Sequence, residues 1–229
     1  MHQQPGHPER PDVGNVVRRA LVLLFGLFVM AIGIALTTRA HLGTSPISAP
    51  PYVVSLWGTW TFGQYTYAML VGLVVFQILL LRRRYEPVQL LQLVSGLAFS
   101  FFVDVGMWIT PMFDPATYPL QLGQTLLGSV VLGIGVALQV APRLTYLPGD
   151  GTVVALTKVL PIEFSRMKII FDSTLVATAV VFALVVWGEL RGVREGTIVA
   201  AVLVGVVVGR VMPTVRRVMG RIRALPPGA

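Results

Sequence analysis

The sequence contains no cysteine. Disulfide bridges, thiolate metal sites and cysteine nucleophiles are excluded by that one absence. Histidine is scarce as well. His2, His7 and His41 are the only three, two of them at the extreme N-terminus, and they cannot assemble a metal centre. Asp, Glu, Lys and Arg together make up 12% of the 229 residues, against about 25% in soluble domains. The chain lacks the polar surface a protein needs to face water. HExxH, GxSxG, P-loop and two-histidine-one-carboxylate patterns are missing too. We therefore expect no enzyme, no cofactor and no metal.

What the sequence has is apolar length. Hydrophobic residues are 55% of the chain and mean hydropathy is +0.76. Six apolar runs stand out, at Ala20–Thr38, Phe62–Leu81, Val88–Ile109, Leu122–Ala141, Lys168–Trp187 and Gly196–Met212. Each is about long enough to cross a hydrocarbon core of roughly 30 Å at 1.5 Å per residue. Lipid offers backbone groups no partner, so such runs are helices. The first run is longer than the core of a secretory signal and five more follow, which makes it a retained span. The fold class expected is an all-α polytopic membrane protein of six transmembrane helices.

The net charge of +8 does not point to nucleic acid, because the basic residues flank the apolar runs. With the N-terminus inside, the cytoplasmic face holds Arg10, Arg18, Arg19, Arg82, Arg83, Arg84, Arg143, Lys158, Arg166, Lys168, Arg210, Arg216, Arg217, Arg221 and Arg223. Those are 15 of the 18 basic residues; Arg39, Arg191 and Arg194 stay outside. Both termini are then cytoplasmic. The head (residues 1–15) and the end of the basic tail (residues 214–229) are rich in Pro, Gly or charge, and we expect the head and the part after Gly220 to be poorly ordered beside acidic lipid headgroups.

The two halves resemble each other. Gly26–Leu36 reads GLFVMAIGIAL and Gly128–Leu138 reads GSVVLGIGVAL, six identities in eleven positions. The offset of 102 continues through Leu42/Leu144, Pro46/Pro148 and Phe62/Phe164. Residues 16–110 and 122–213 would be two three-helix units joined by an extracytoplasmic loop at 111–121. Three is odd, so the second unit enters from the opposite side, giving the inverted repeat of many secondary transporters. The connections at 41–60 and 143–161 begin with turn residues and become apolar for about two helical turns. Asp150 is placed to cap a short helix Gly151–Val159, and Ser45 or Ser48 its counterpart. Re-entrant half-helices would aim positive ends at mid-membrane, where anions or dipolar solutes bind. Short helices lying on the surface fit the same residues.

At these positions the sequence resembles the YczE/YyaS/YitT family of bacterial membrane proteins, closest to the YczE branch. The matching stretches are RALVLLFGLFVMAIGIALTTRAHLGTSPISA (Arg19–Ala49), Pro148–Asp150, Asp172 and GTIVAAVLVG (Gly196–Gly205). The LGTSP block is the most specific, and the likeness covers about 190 residues. Two departures stand out: Leu144-Thr145 replaces a more usual Leu-Gly, and Ser48 stands where an acid is common. The resemblance implies a six-span protein of the bacterial inner membrane without an assigned activity.

Ionisable groups inside spans cost about 2.5–3.5 kcal/mol each on insertion scales and normally face protein or water. Asp104 lies 16 residues into the third span, about 24 Å from its start, at the depth of Arg39 and His41. Asp172 lies near the inner end of the fifth span, one turn from Lys168 and level with Asp150, Arg143 and Arg166. Candidate substrate or gating residues are thus Arg39, Gly43, Thr44, Ser45, Pro46, Ser48, Asp104, Pro148, Asp150, Lys168 and Asp172. Structural pairing of the charges is the competing explanation. Gln89, Gln92, Ser95 and Ser100 are polar positions in the third span, and Gly205–Gly209 with Gly128, Gly133 and Gly135 read as helix-contact surfaces. Partners expected are the bilayer, an unidentified small solute and a second copy of the chain; nucleic acid is not. Three functions fit: a small-molecule transporter or solute-binding module, a scaffold for a membrane complex, and, least favoured, a membrane enzyme. The orientation has a direct test in this cysteine-free chain. Thr117→Cys should react with an impermeant thiol reagent from outside and Arg83→Cys only from inside; the reverse pattern would overturn the topology.

Overall fold

The computed structural model of the chain describes residues 13–224. These residues hold no strand. They form α1 (Val13–Arg39), α2 (Ala49–Ser55), α3 (Phe62–Leu81), α4 (Leu91–Ile109), α5 (Tyr118–Val140), α6 (Pro148–Val159), α7 (Phe164–Trp187) and α8 (Glu195–Ala224). All except α2 and α6 are long and apolar enough to cross a membrane. The local signals are in place. Proline opens the first turns of α2, α5 and α6, where its missing N–H is harmless. Thr61 caps α3 through a reciprocal exchange with Gln64: the Gln64 N–H donates to Thr61 Oγ1 at 3.1 Å and the Thr61 N–H to Gln64 Oε1 at 3.0 Å. Left-handed Gly188 (φ 69°) ends α7.

Helix enters the edges of the expected head and tail by a few residues. Helix α1 already starts at Val13, and α8 runs on to Ala224 past Pro213. Met219 is buried at 3% exposure, an apolar anchor that holds the basic end of α8 to the bundle. Residues 1–12, with His2, His7 and Arg10, and residues 225–229 lie outside the described region, so the expectation for those segments is not addressed.

The centre of the bundle is the antiparallel pair α1–α5. In the membrane-like windows of the spans, 56% of α1 is buried, against 11% for each of α7 and α8, which places the last two at the periphery. Four glycines let α1 and α5 touch backbone to backbone. A Cβ on Gly26 would lie 2.6 Å from the Gln139 nitrogen, on Gly33 2.6 Å from Leu132 Cα, on Gly128 2.9 Å from the Thr37 nitrogen, and on Gly135 2.8 Å from Met30 Cα. No real side chain fits at those separations. The contacts pair 26 with 139, 33 with 132, 128 with 37 and 135 with 30. A shift of 102 converts the first into the third and the second into the fourth. Around this pair α4 packs on α1, α8 on α5, and α3 on α4. Gly133, also among the expected contact glycines, meets Val207 of α8, whose Cβ would be 2.8 Å away.

Two ends follow from the connections. At the near end, where α1 starts, Arg19 Nε donates to the Pro142 carbonyl at 2.9 Å and so joins the start of α1 to the end of α5. At the far end, His41 Nε2 contacts Asp114 Oδ1 at 2.6 Å, and Arg194 donates to the His41 carbonyl at 3.4 Å. The four-residue spacing of Gly205 and Gly209 does not mark a helix contact within the chain, because nothing lies within 4 Å of a Cβ at either position. α8 turns that face outward, and its contact with α5 uses the Val204–Val207 side instead. Overpacking is therefore predicted at one glycine set and not the other. Gly135→Val should lower stability in detergent by about 1–3 kcal/mol or more, while Gly205→Leu should leave the melting temperature unchanged; equal effects would contradict the packing described.

Candidate functional site

The short helices α2 and α6 both enter from a rim and carry their N-termini into the bundle. Asp150, in the first turn of α6, is level with Lys168 and Asp172, one to two turns inside α7, while Val159 is back near the α7 start. Ala49 and Val53 of α2 pack against Ala179 and Ala183 of α7, a turn or two from its far end. Between those two levels, positions 172 and 179, α7 rises about 10 Å. The chain segments leading into α2 and α6 meet there. A Cβ on Gly149 would lie 2.9 Å from Ile47 Cδ1, and these two positions are again 102 apart. The backbone repeats the correspondence at the rims: His41 (φ 58°) and Arg143 (φ 53°), two of the three non-glycine residues with positive φ among the described residues, have the same offset.

At the near end Lys168 Nζ sits 3.3 Å from Asp150 Oδ1 and 3.1 Å from Asp172 Oδ1. Asp150 does not cap α6, contrary to expectation. The helix starts earlier, at Pro148 with Leu147 as its cap position, so Asp150 points sideways to Lys168 rather than along the helix end. Arg143 and Arg166, expected at the same depth, are in no ion pair among the described residues. Behind the triad lies a buried amide network. Gln77 Nε2 donates to the Pro148 carbonyl at 3.0 Å and to Thr152 Oγ1 at 3.1 Å, and Gln92 Nε2 donates to Gln77 Oε1 at 3.3 Å. This network ties α3, α4 and α6 together.

At the far end Gly43 (φ 104°) is wedged against Thr197 and Arg194, a place where a side chain is excluded by both space and backbone. Thr44, Ser45, Pro46 and Ser48 are all buried. Thr38 Oγ1 donates to Thr44 Oγ1 at 3.0 Å, and Ser45 Oγ to Ser48 Oγ at 3.0 Å. Ser48 holds the cap position of α2 without a capping hydrogen bond, because its hydroxyl is taken by Ser45. Arg39 and Asp104 share a depth but are not joined. Arg39 donates to the Met107 carbonyl at 2.6 Å and to Thr110 Oγ1 at 3.2 Å. Asp104 accepts from Thr61 Oγ1 at 2.6 Å and from the Gly63 N–H at 2.7 Å. Its carboxylate completes the N-terminus of α3, where free N–H groups and the helix dipole favour a negative charge.

Two open clefts flank the central contact. The near one, about 340 Å³, is lined by Glu86, Gln89, Gln92, Arg143 and Lys158 together with apolar side chains. The far one, about 440 Å³, is lined by Thr38, His41, Gly43, Tyr52, Leu56, Arg191 and Arg194. Neither includes Asp104, Asp150, Lys168 or Asp172. On the loop before Glu86, burial pushes the Tyr85 phenol above its ordinary range and keeps it neutral. No group of His, Asp or Glu among the described residues could hold a metal ion.

Residues 17–213 match the family of unknown function DUF6198. The chain belongs to that family. It is also similar to the uncharacterized protein YyaS of Bacillus subtilis (strain 168), 26% identical over 198 residues that cover 84% of this chain and 91% of that one. No solved structure matches.

Sequence reasoning missed Gln77, although one glutamine deep in an apolar span is a visible signal. The loops Gly43–Ser48 and Pro148–Gly151 were expected as functional elements, but not that Ile47 of one meets Gly149 of the other. The triad changes what a single substitution should do. Asp172→Asn leaves Lys168 paired with Asp150 and should be mild. Lys168→Met leaves two neighbouring carboxylates without their cation and should cost about 1–3 kcal/mol, between exposed and buried pairs. Adding Asp172→Asn to Lys168→Met should recover part of that loss; thermal denaturation of the three variants gives the order.

Proposed function

We propose that the chain is a small-solute carrier of the bacterial cytoplasmic membrane, built as two inverted three-helix repeats. Its two clefts would open to opposite sides in turn. The observation that carries this reading is the correspondence of the clefts. Each combines a short re-entrant helix with a left-handed residue at its rim, α2 with His41 and α6 with Arg143, and the tips meet at Ile47 and Gly149 between them. The four exchanged α1–α5 contacts support the same pseudo-symmetry. Alternating access needs one barrier between two vestibules, and the Ile47–Gly149 contact is that barrier in the state described. Distribution of the basic residues supports cytoplasmic termini, and the LGTSP block supports a place near the YczE branch of the family. The solute is anionic or dipolar, in keeping with Arg143, Lys158, Arg191 and Arg194 around the clefts. No catalysis of covalent chemistry is assigned.

A second reading, a scaffold for a membrane complex, is favoured by one specific fact. The span carboxylates are committed to structural bonds, Asp104 to α3 and Asp172 to Lys168, and neither lines a cleft. Proteoliposomes separate the two. Under the carrier reading, uptake of at least one solute from a set of small carboxylates, phosphates and amino acids should exceed that of protein-free vesicles, with and without a proton gradient imposed. Gly149→Leu, which enlarges the barrier, should abolish that uptake while the protein still inserts. No solute moving, together with Val154→Cys and Leu56→Cys whose thiol reactivity never changes, would leave the scaffold.

A further inference from the structure

The near cleft carries charge that the protein does not neutralise. Arg143 and Lys158 line it, and among the described residues neither is in an ion pair. Glu86 is the one carboxylate on the same wall, and it too is in no ion pair. Two cations and one carboxylate leave the wall with a formal charge of +1. The remaining surface is largely apolar, from Leu81, Val88, Val154 and Ala155, with Gln89, Gln92, Thr145 and Tyr146 also lining it. Arg143 is not a loose surface arginine at its backbone. It holds a left-handed conformation (φ 53°), and its carbonyl accepts from Arg19 at 3.2 Å. At about 340 Å³ the cleft falls at the small end of ligand pockets, which run from about 300 to 1,000 Å³.

We infer that the near cleft binds an amphipathic monoanion, with its single negative group between Arg143 and Lys158 and its apolar body against Leu81, Val88 and Val154. The charge count selects the class. A monoanion brings the wall to neutrality, a zwitterion leaves it positive, and a dianion faces repulsion from Glu86. A planar or branched group such as a carboxylate or phosphodiester suits the arginine fork. Two sources share this chemistry, a free organic acid from the aqueous phase and an anionic phospholipid from the adjoining leaflet. The inference deepens the carrier reading by naming a substrate class, but binding itself does not require transport.

The test uses the full chain in neutral detergent and in nanodiscs. Benzoate and hexanoate should raise the melting temperature saturably, and acetate and inorganic phosphate should do so less. Arg143→Gln combined with Lys158→Gln should weaken the apparent affinity at least about tenfold, the loss of one charge-assisted contact. Glu86→Gln should shift preference toward a dianion such as phthalate, which a merely unfolded variant would not do. Stabilisation by phosphatidylglycerol over phosphatidylcholine nanodiscs, lost in the double variant, would assign the site to lipid; saturable benzoate binding, lost in the same variant, would assign it to a free acid. Stabilisation by neither, or stabilisation that the double variant retains, overturns the proposal. Binding without uptake in proteoliposomes would retire the carrier reading and leave this site intact.

Discussion

Everything in this bundle is hung on the backbone contact between α1 and α5. Hydrocarbon gives helices no hydrophobic reason to associate, since lipid tails are as apolar as leucine, so van der Waals fit must supply the attraction. Gly26, Gly33, Gly128 and Gly135 remove the four side chains that would hold the axes apart. The close approach then sets the positions of α4 and α8 on the flanks, and through them the ends at which α2 and α6 turn inward. Dispersion contacts are individually about 0.1–0.2 kcal/mol and gain weight only by number. Two long helices in direct contact supply that number.

The outer helices are organised differently. α3 packs along α4, yet α7 and α8, at the corresponding places in the second half, barely touch. α7 is held by the two short helices instead, through Ala49, Val53, Ala179 and Ala183 at one end and Lys168 with Asp150 at the other. Short helices, tips and α7 thus form one body that packs on α3, with α6 also reaching α4. Its polar anchors lie at the near end, where Gln77, Gln92 and Thr152 join α6 to α3 and α4. Small apolar contacts dominate at the far end.

The sequence was most readable where the solvent decides. Lipid forces helices and penalises charge, so six spans could be placed from hydropathy, and their boundaries fall within a few residues of the helices seen except at the start of α1 and the end of α8, which run farther out. The offset of 102 was also visible, in the glycines, in Pro46/Pro148 and in Phe62/Phe164, which turn out to begin α3 and α7. What could not be read were directions of side chains. Asp150 was expected at a helix cap and instead faces Lys168. Asp104 shares the depth of Arg39 as expected, but its bonds go to the start of α3 rather than to that arginine. Gly205 and Gly209 had the spacing of a contact and face outward, because spacing names a helix face without saying what lies opposite. The near cleft is lined by Arg143 and Lys158, which the sequence placed at the inner face without showing that they share a wall.

Under the inverted repeat proposed above, the meeting of Ile47 with Gly149 carries a consequence for descent. Positions that correspond in two equivalent units and also touch each other occupy a place where each unit meets its own copy. In a pair of identical three-helix chains that place would receive two isoleucines or two glycines. Two isoleucines would contend for one volume, and two glycines would leave a hole, both costly in a close-packed interior. One large and one absent side chain fill it once. Identical halves cannot make that choice, so under the proposed repeat it is divergence of the two halves at this position that lets one side chain fill the volume.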